Sequence, residues 1–365
     1  MKLVYVAHVR IPTEKAHGIQ IMKMCEALAG EGADVELVVP DRKNAITDDA
    51  FAYYGVKPTF KIVRLPSIDL LRFGALGYFV SVWSFLRAAR RYAALRPDAR
   101  VYTREPLAPS YFPSAVVELH TRSGSRFVRR AIRKAQRLVA ITQGLKDDLV
   151  RDGVAAERIT VLSDGVDLAE FEHLPSRAEA REKTGLPQDA KIALYAGSFS
   201  MYSWKGVDVF LESAKLVPEV LFIGVGGTEA EARALAGELP QNVRCVGRKP
   251  HSEIPLYLRA ADVLVLPNKA GDSMSEKYTS PLKLFEYMAS GTPVVASDLP
   301  SIREALSEEM ALLVHSNEAQ ALADGIRSAL ANPDAAGTRA SRAREAAARY
   351  AWSARAARIL TLLAP

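Results

Sequence analysis

Short apolar runs alternate with longer segments of helical period from one end of the chain to the other, and few folds accept that rhythm. A run that is apolar at nearly every position must be covered on both faces, as the strands of a parallel sheet are by flanking helices. Such runs stand at residues 2–8, 34–40, 60–65, 100–103, 115–119, 138–142 and 159–162, and again at 191–196, 220–225, 243–246, 262–266, 293–296 and 311–314. Between the first two, residues 17–30 put Ile19, Met22, Met24, Cys25, Ala27 and Leu28 largely on one side, with Gly30 and Gly32 available to end a helix. The reading is an α/β chain of two doubly wound, Rossmann-like domains. A length of 365 residues agrees, because it exceeds what one core usually organises.

The polar stretch 174–189, with Pro175 and Pro187 and no apolar run, suits an interdomain connection, so the expected domains are 1–180 and 181–345. The Ala/Arg-rich tail from Asn332 to Leu363 is helical by composition and broken around Tyr350-Ala-Trp352. Residues 346–365 are therefore expected to form a helix returning to the first domain. With 49% hydrophobic and 25% charged residues the chain matches globular averages, which excludes disordered, collagen-like and integral membrane classes. Cys25 and Cys245 are too far apart in sequence to suggest a metal motif or a disulfide framework, and a reducing cytoplasm is expected. The opening run, Met1 to His8, is too short for a signal peptide and reads as a first strand.

Charge is unevenly placed. Between Arg72 and Arg137 fourteen Arg and Lys face only Asp98, Glu105 and Glu118, a local excess far above the net +6 of the chain. Such a region attracts phosphates or an anionic surface. No aromatic-interleaved motif accompanies it, so nucleic acid is not an expected partner. The apolar stretch Phe73–Leu86 falls short of the roughly 20 residues of a spanning helix and reads as a core helix or a membrane-leaning face. A peripheral position at the inner membrane face follows as an expectation.

Ligands of parallel sheets sit at the carboxyl ends of strands. After the run ending at Pro267 comes a polar loop and then Ser280-Pro281, a good N-cap followed by the residue favoured at the first helical position. The amides of Leu282 and Lys283 then lie at the positive end of a helix dipole, where an anion binds. Lys283 and Glu286 are three residues apart and share a face, so a cation for phosphate stands beside a carboxylate that accepts from hydroxyls. A nucleoside diphosphate offers both groups. The same spacing is also common in surface ion pairs.

The segment Ser280-Pro-Leu-Lys-Leu-Phe-Glu-Tyr-Met-Ala-Ser-Gly-Thr-Pro-Val-Val-Ala-Ser297, continued by Asp298-Leu-Pro-Ser-Ile-Arg-Glu304, resembles the donor motif of the retaining glycosyltransferases of family 4, which have the GT-B fold. Tyr195-Ala-Gly197 with Lys205-Gly206, Phe222–Gly227, Val246-Gly247, Ala261–Pro267 and Ser163–Asp167 follow in that family's order, and Ala7-His8 with His17-Gly18 resembles its N-terminal loop. The resemblance implies two domains facing across a cleft and transfer of a sugar from a nucleotide sugar to a glycan or lipid-linked acceptor, with no metal or other cofactor. It implies that Lys205 and the amides of Leu282 and Lys283 hold the donor diphosphate, that Glu286 binds the ribose hydroxyls, and that Arg248 lies where the base is held, mainly by backbone. It further implies that Gly18 permits close approach to the diphosphate or sugar and that His120, ending Val117-Glu-Leu-His120, contacts the sugar near the reacting bond. Gly197, Ser198, Gly226, Tyr278, Ser280 and Pro281 complete the implied donor site.

Two positions depart from the family pattern. Tyr278 stands where the first of two glutamates is usual, with Glu276 near but out of register, and Ser198 stands where an arginine is usual. The acids Asp48, Asp49, Asp147, Asp148, Asp164 and Asp167 read as surface or turn residues. Gly224-Val-Gly-Gly227 lacks the full dinucleotide spacing and reads as a turn lining the cleft. The alternatives left open are a sugar-nucleotide epimerase or phosphorylase on the same architecture, and a non-catalytic nucleotide-sugar binding protein.

Overall fold

The computed structural model describes residues 1–364, and its chain divides into two compact units. The first comprises Met1–Asp164 together with the C-terminal segment from Trp352, and the second Gly165–Ala351. The boundary thus lies before the expected position near 180. Residues 174–189 are not a connection. Arg177–Thr184 is a helix with a Ser176/Glu179 capping box and a left-handed Gly185 at its end. It buries Ala180, and its Arg181 pairs with Asp262 at 2.7 Å, which fixes it to the second unit. The tail is also divided later than expected: a helix over Pro333–Ala347 stays with the second unit, and only Trp352–Leu363 joins the first.

The first unit holds a parallel sheet of seven strands: β1 (Lys2–Val6), β2 (Asp34–Asp41), β3 (Lys61–Pro66), β4 (Arg100–Thr103), β5 (Val116–Leu119), β6 (Arg137–Ala140) and β7 (Ile159–Val161). Their order is β3-β2-β1-β4-β5-β6-β7. The second unit holds six: β8 (Ile192–Ala196), β9 (Leu221–Val225), β10 (Val243–Gly247), β11 (Val263–Leu266), β12 (Val294–Ser297) and β13 (Leu312–Val314), in the order β10-β9-β8-β11-β12-β13. All thirteen apolar runs are strands. The order reverses between β1 and β4 and between β8 and β11, and such switch points leave a crevice at the strands' carboxyl ends.

Period-two burial explains why these runs need helices on both faces. In β8, Leu194 and Ala196 pack with Phe285, Tyr287 and Met288 on one side. Ala193 and Tyr195 pack with Phe210, Leu211 and Ile326 on the other. In the first unit the Ala16–Gly30 helix buries Ile21, Met22, Met24, Cys25 and Leu28, and the Trp352–Leu363 helix packs beside it. The Phe73–Leu86 stretch becomes the Gly74–Ala94 helix, with Val82, Phe85, Leu86 and Ala89 in the core and Leu76, Tyr78, Val80 and Trp83 exposed. No helix among the described residues is long and apolar enough to cross a membrane.

Candidate active site

In the second unit the carboxyl end of β8 meets the start of the Leu282–Ser290 helix. The helix begins one residue later than Ser280 as cap requires. Pro281 occupies the N-cap with extended backbone, and no side chain caps the end. Ser280 lies buried in the segment before it. A proline offers no N–H of its own, so the helix opens on the amides of Leu282 and Lys283 without a side-chain acceptor.

Lys283 folds back over the strand end. Its Nζ is buried, has no hydrogen-bond partner among the described residues and stands 3.8 Å from the centroid of the Tyr195 ring. Gly197 makes the room: with φ at 144° and a would-be Cβ 2.6 Å from that Nζ, only glycine leaves the space. Burial pushes the Lys283 ammonium well below its ordinary value; the neighbouring Lys205 adds to this and Glu286 offsets part of it. Lys205 itself closes the Ser203–Lys205 turn before the Val207–Leu216 helix, and burial lowers its pKa too. Tyr287 locks this arrangement, its hydroxyl accepting the Ala196 N–H at 2.8 Å.

Glu286 lies nearby on the same helix but is engaged: its Oε1 is 2.7 Å from His251 Nε2, and Glu170 stands 4.0 Å from the other ring nitrogen. His251, in the loop after β10, was missed by sequence reasoning; the signal available was a polar side chain just beyond a strand's carboxyl end. Arg248, in the same loop, is exposed and 3.9 Å from Glu231. Tyr278 is buried in the π-helical turn Met274–Tyr278. Glu276 accepts the Gly271 N–H at 2.9 Å, so it braces its own loop. Ser198 presents its carbonyl to the Tyr195 hydroxyl at 3.4 Å.

The Gly224–Gly227 turn has a packing cause. A Cβ at Gly224 or Gly227 would fall 2.3 or 2.1 Å from atoms of the Phe199 ring, and at Gly226 2.7 Å from the Gly197 carbonyl oxygen. These glycines let one aromatic ring and the β8 turn lie directly on the β9 backbone. Gly18 is similar: its would-be Cβ lies 2.1 Å from the Tyr54 hydroxyl, which accepts the Thr13 N–H at 2.6 Å and donates to the Thr13 carbonyl at 2.8 Å.

In the first unit His120 follows β5, and its Nε2 is 2.6 Å from Glu118 Oε1. Burial, then Arg104, hold this imidazole below the ordinary histidine value, against the pull of Glu118 and Asp164. Glu118 is fully buried and receives Gln20 at 2.9 Å, Arg355 at 2.7 Å and the Tyr102 hydroxyl. Asp164, expected to be a surface or turn acid, is instead buried beside this group in the segment after β7. Glu118, His120 and Asp164 each bring one donor atom within 4.8 Å of the others. Both Glu118 oxygens are already committed to protein donors, so the carboxylate belongs to a buried hydrogen-bonded network around its ion pair with Arg355. Nothing in the sequence joined Glu118 to Arg355. A second histidine, His8 after β1, sits 3.2 Å from Ser81 and against Arg42; burial, then Arg42, push its pKa down to about 3, so it is neutral.

Comparison with known proteins bears on both units. A phosphatidyl-myo-inositol mannosyltransferase of Mycobacterium leprae is 33% identical over 204 residues, 54% of this chain and 53% of that protein, so the chain spans about half of that relative's length. Sucrose-phosphate synthase from Thermosynechococcus elongatus superposes with a TM-score of 0.79 at 23% identity, over 99% of this chain and 98% of that one. HepE from Anabaena, solved with UDP, gives 0.74 at 18% identity over 100% and 99%. At these identities the two structures show the fold, which is GT-B. The family model for Glycosyltransferase Family 4 matches residues 18–170 and that for Glycosyl transferases group 1 matches 176–350. With its two halves matched in turn and both sheets in place, the chain belongs to the group 1, family 4 glycosyltransferases, enzymes that transfer sugars.

Proposed function

We propose that this enzyme moves a sugar from a nucleoside diphosphate sugar to an acceptor hydroxyl with retention of anomeric configuration. The observation that carries the reading is Lys283, a buried ammonium without a hydrogen-bond partner, beside a second lysine and an uncapped helix N-terminus at a sheet switch point. A diphosphate supplies the missing counter-charge. As the bond from the anomeric carbon to the phosphate oxygen breaks, Lys283, Lys205 and the helix amides stabilise the charge on the leaving oxygen without reorganising. The acceptor oxygen bonds to the anomeric carbon, and its proton passes to the departing phosphate. His120 is read as the group that meets the sugar. Glu286, held by His251, accepts from ribose hydroxyls, and the backbone at Arg248 meets the base. No metal is required, since lysines and amides meet the phosphate charge.

UDP is the first nucleotide to test, given the ligand of HepE, with GDP and ADP beside it. A thermal-shift panel of the three and their sugars, repeated on Lys283→Ala and Glu286→Ala, is expected to show stabilisation by one nucleotide that both variants lose. Equal shifts in the variants sink the donor-site assignment. Product analysis then separates the alternatives: conversion of donor alone means an epimerase, dependence on free phosphate a phosphorylase, and binding without turnover a non-catalytic protein.

The acceptor is read as a lipid-linked or glycan hydroxyl in polysaccharide or glycoconjugate assembly, at a cytoplasmic membrane face. Leu76, Trp83, Phe73 and Phe127 are exposed, with Arg72 and Arg87 stacked on the rings of Phe73 and Trp83. Apolar side chains amid cations suit an anionic bilayer surface. Flotation with phosphatidylglycerol vesicles at low salt is expected to carry the protein, and Leu76→Asp with Trp83→Asp to release it. No binding at low salt removes the membrane from this reading.

A further inference from the structure

The Trp352–Leu363 helix carries one charged residue into the interior of the first unit. The Arg355 side chain is 3% exposed, and every contact of its guanidinium is with that unit. Nε donates to the Ser163 carbonyl at 2.8 Å, Nη1 meets Met24 Sδ at 3.1 Å, and Nη2 donates to Glu118 Oε2 at 2.7 Å and to the Leu162 carbonyl at 3.3 Å. The partner carboxylate is equally committed. Oε1 takes Gln20 and His120, and Oε2 takes Tyr102 and Arg355. Four donors on two oxygens leave Glu118 a single orientation, and that orientation determines which nitrogen of His120 carries the proton.

We propose that Arg355 is a positioning residue for His120: it clamps Glu118 so that this carboxylate fixes the imidazole as its Nε2–H tautomer and leaves Nδ1 with its lone pair. The inference rests on the reading of His120 as the group that meets the sugar. It concerns more than packing, because the carboxylate's charge is shared between two partners. Arg355 is the first of the groups that pull Glu118 far below the carboxylate range, against the upward push of burial, followed by His120 and Arg104. With the guanidinium gone, the uncompensated carboxylate draws a proton onto His120. The other ionisable groups facing the ring are Arg104 after β4, Asp164 after β7 and His17 of the Ala16–Gly30 helix. Arg104 lies 3.9 Å from Glu118 and is tied to Gln20 at 2.6 Å, so it does not take Arg355's place.

The test reads His120 directly. In the full chain labelled with nitrogen-15 histidine, long-range proton–nitrogen spectra resolve six imidazoles, and His120→Gln identifies the one of interest. The wild type is expected to show His120 as a single neutral Nε2–H tautomer that protonates only below the ordinary histidine value. Any other tautomer in the wild type overturns the proposal. Arg355→Met is expected to mix the tautomers and raise the apparent protonation of His120 by at least about one pH unit, tenfold in proton affinity. Arg355→Lys, which keeps the cation but not the planar reach to Glu118, Ser163 and Met24 at once, is expected to fall between, and decides the matter if the methionine variant does not fold. A folded variant with the wild-type tautomer and titration overturns the proposal, whatever its melting temperature. In parallel, Arg355→Lys is expected to bind UDP, GDP or ADP as the wild type does. Turnover of the matching nucleotide sugar is expected to fall at least tenfold in kcat, with little change in KM. If the wild type turns over no nucleotide sugar, the proposed function fails while the spectra still decide the role of Arg355.

Discussion

Lys283 in the second unit and Arg355 in the first are both cations taken out of water, and the protein treats them in opposite ways. Arg355 has a buried carboxylate, two main-chain carbonyls and a thioether around it, and its pKa stands above the ordinary value although burial opposes it. Lys283 has an aromatic face, a second lysine and no hydrogen-bond partner, and its pKa stands well below. A buried charge is stable only when paired. The paired one therefore belongs to the architecture, and the unpaired one is the feature on which the proposed diphosphate site rests.

The comparison breaks first at stability. Arg355→Met strands the Glu118 carboxylate and is expected to cost about 3–5 kcal/mol in denaturant unfolding of the first unit. Lys283→Met is expected to leave the melting temperature unchanged or higher, because the ammonium opposes folding. The sign follows from linkage. The folded-state pKa of Lys283 lies below the unfolded value near 10.5, so the cost is fully present below the folded-state pKa and vanishes as pH rises through the window up to about 10.5. A large loss of stability in Lys283→Met would place this lysine with Arg355 as a structural cation.

Ligand binding sharpens the contrast next. Lys283→Met is expected to weaken nucleoside diphosphate binding by at least about 2 kcal/mol, roughly 30-fold, by titration calorimetry. In the wild type the bound diphosphate raises the lysine's pKa again, so binding at alkaline pH is expected to take up a fraction of a proton, seen as a dependence of the measured heat on buffer ionisation. Uptake that survives in Lys283→Met assigns it to another group. Gly197→Ala comes third, at about 1–3 kcal/mol, since it meets both a positive φ and the Lys283 Nζ. The smallest effect is Arg248→Ala: an exposed side chain whose assigned contact is through its backbone is expected to leave affinity within about twofold.

The central strands were legible because they are buried on both faces, which writes itself as an unbroken apolar run such as Ile192–Ala196, whereas edge strands such as Lys61–Pro66 are only partly buried. The Leu282–Ser290 helix was legible too, one residue early at its start, while the approach of Lys283 to Tyr195 and Gly197 at the end of β8 was not. What escaped were relations between distant positions. Nothing near Glu118 in sequence announces a guanidinium 237 residues on. Gly18 and Gly224 also have packing causes that no local pattern shows, since the Tyr54 hydroxyl and the Phe199 ring come against them only in three dimensions. The Arg177–Thr184 helix differs, for its Ser176 and Glu179 have the spacing of a capping box, a local signal that the reading from Pro175 and Pro187 left unused.

The 237 residues between Glu118 and Arg355 also set a clock. At about 5–20 residues per second a ribosome needs roughly 10–50 s to travel that distance. All that time the emerging first unit carries a carboxylate in its interior without its guanidinium, while the whole second unit is made. Its sheet can assemble early, but its packing around Glu118 closes only once the Trp352–Leu363 helix has been made.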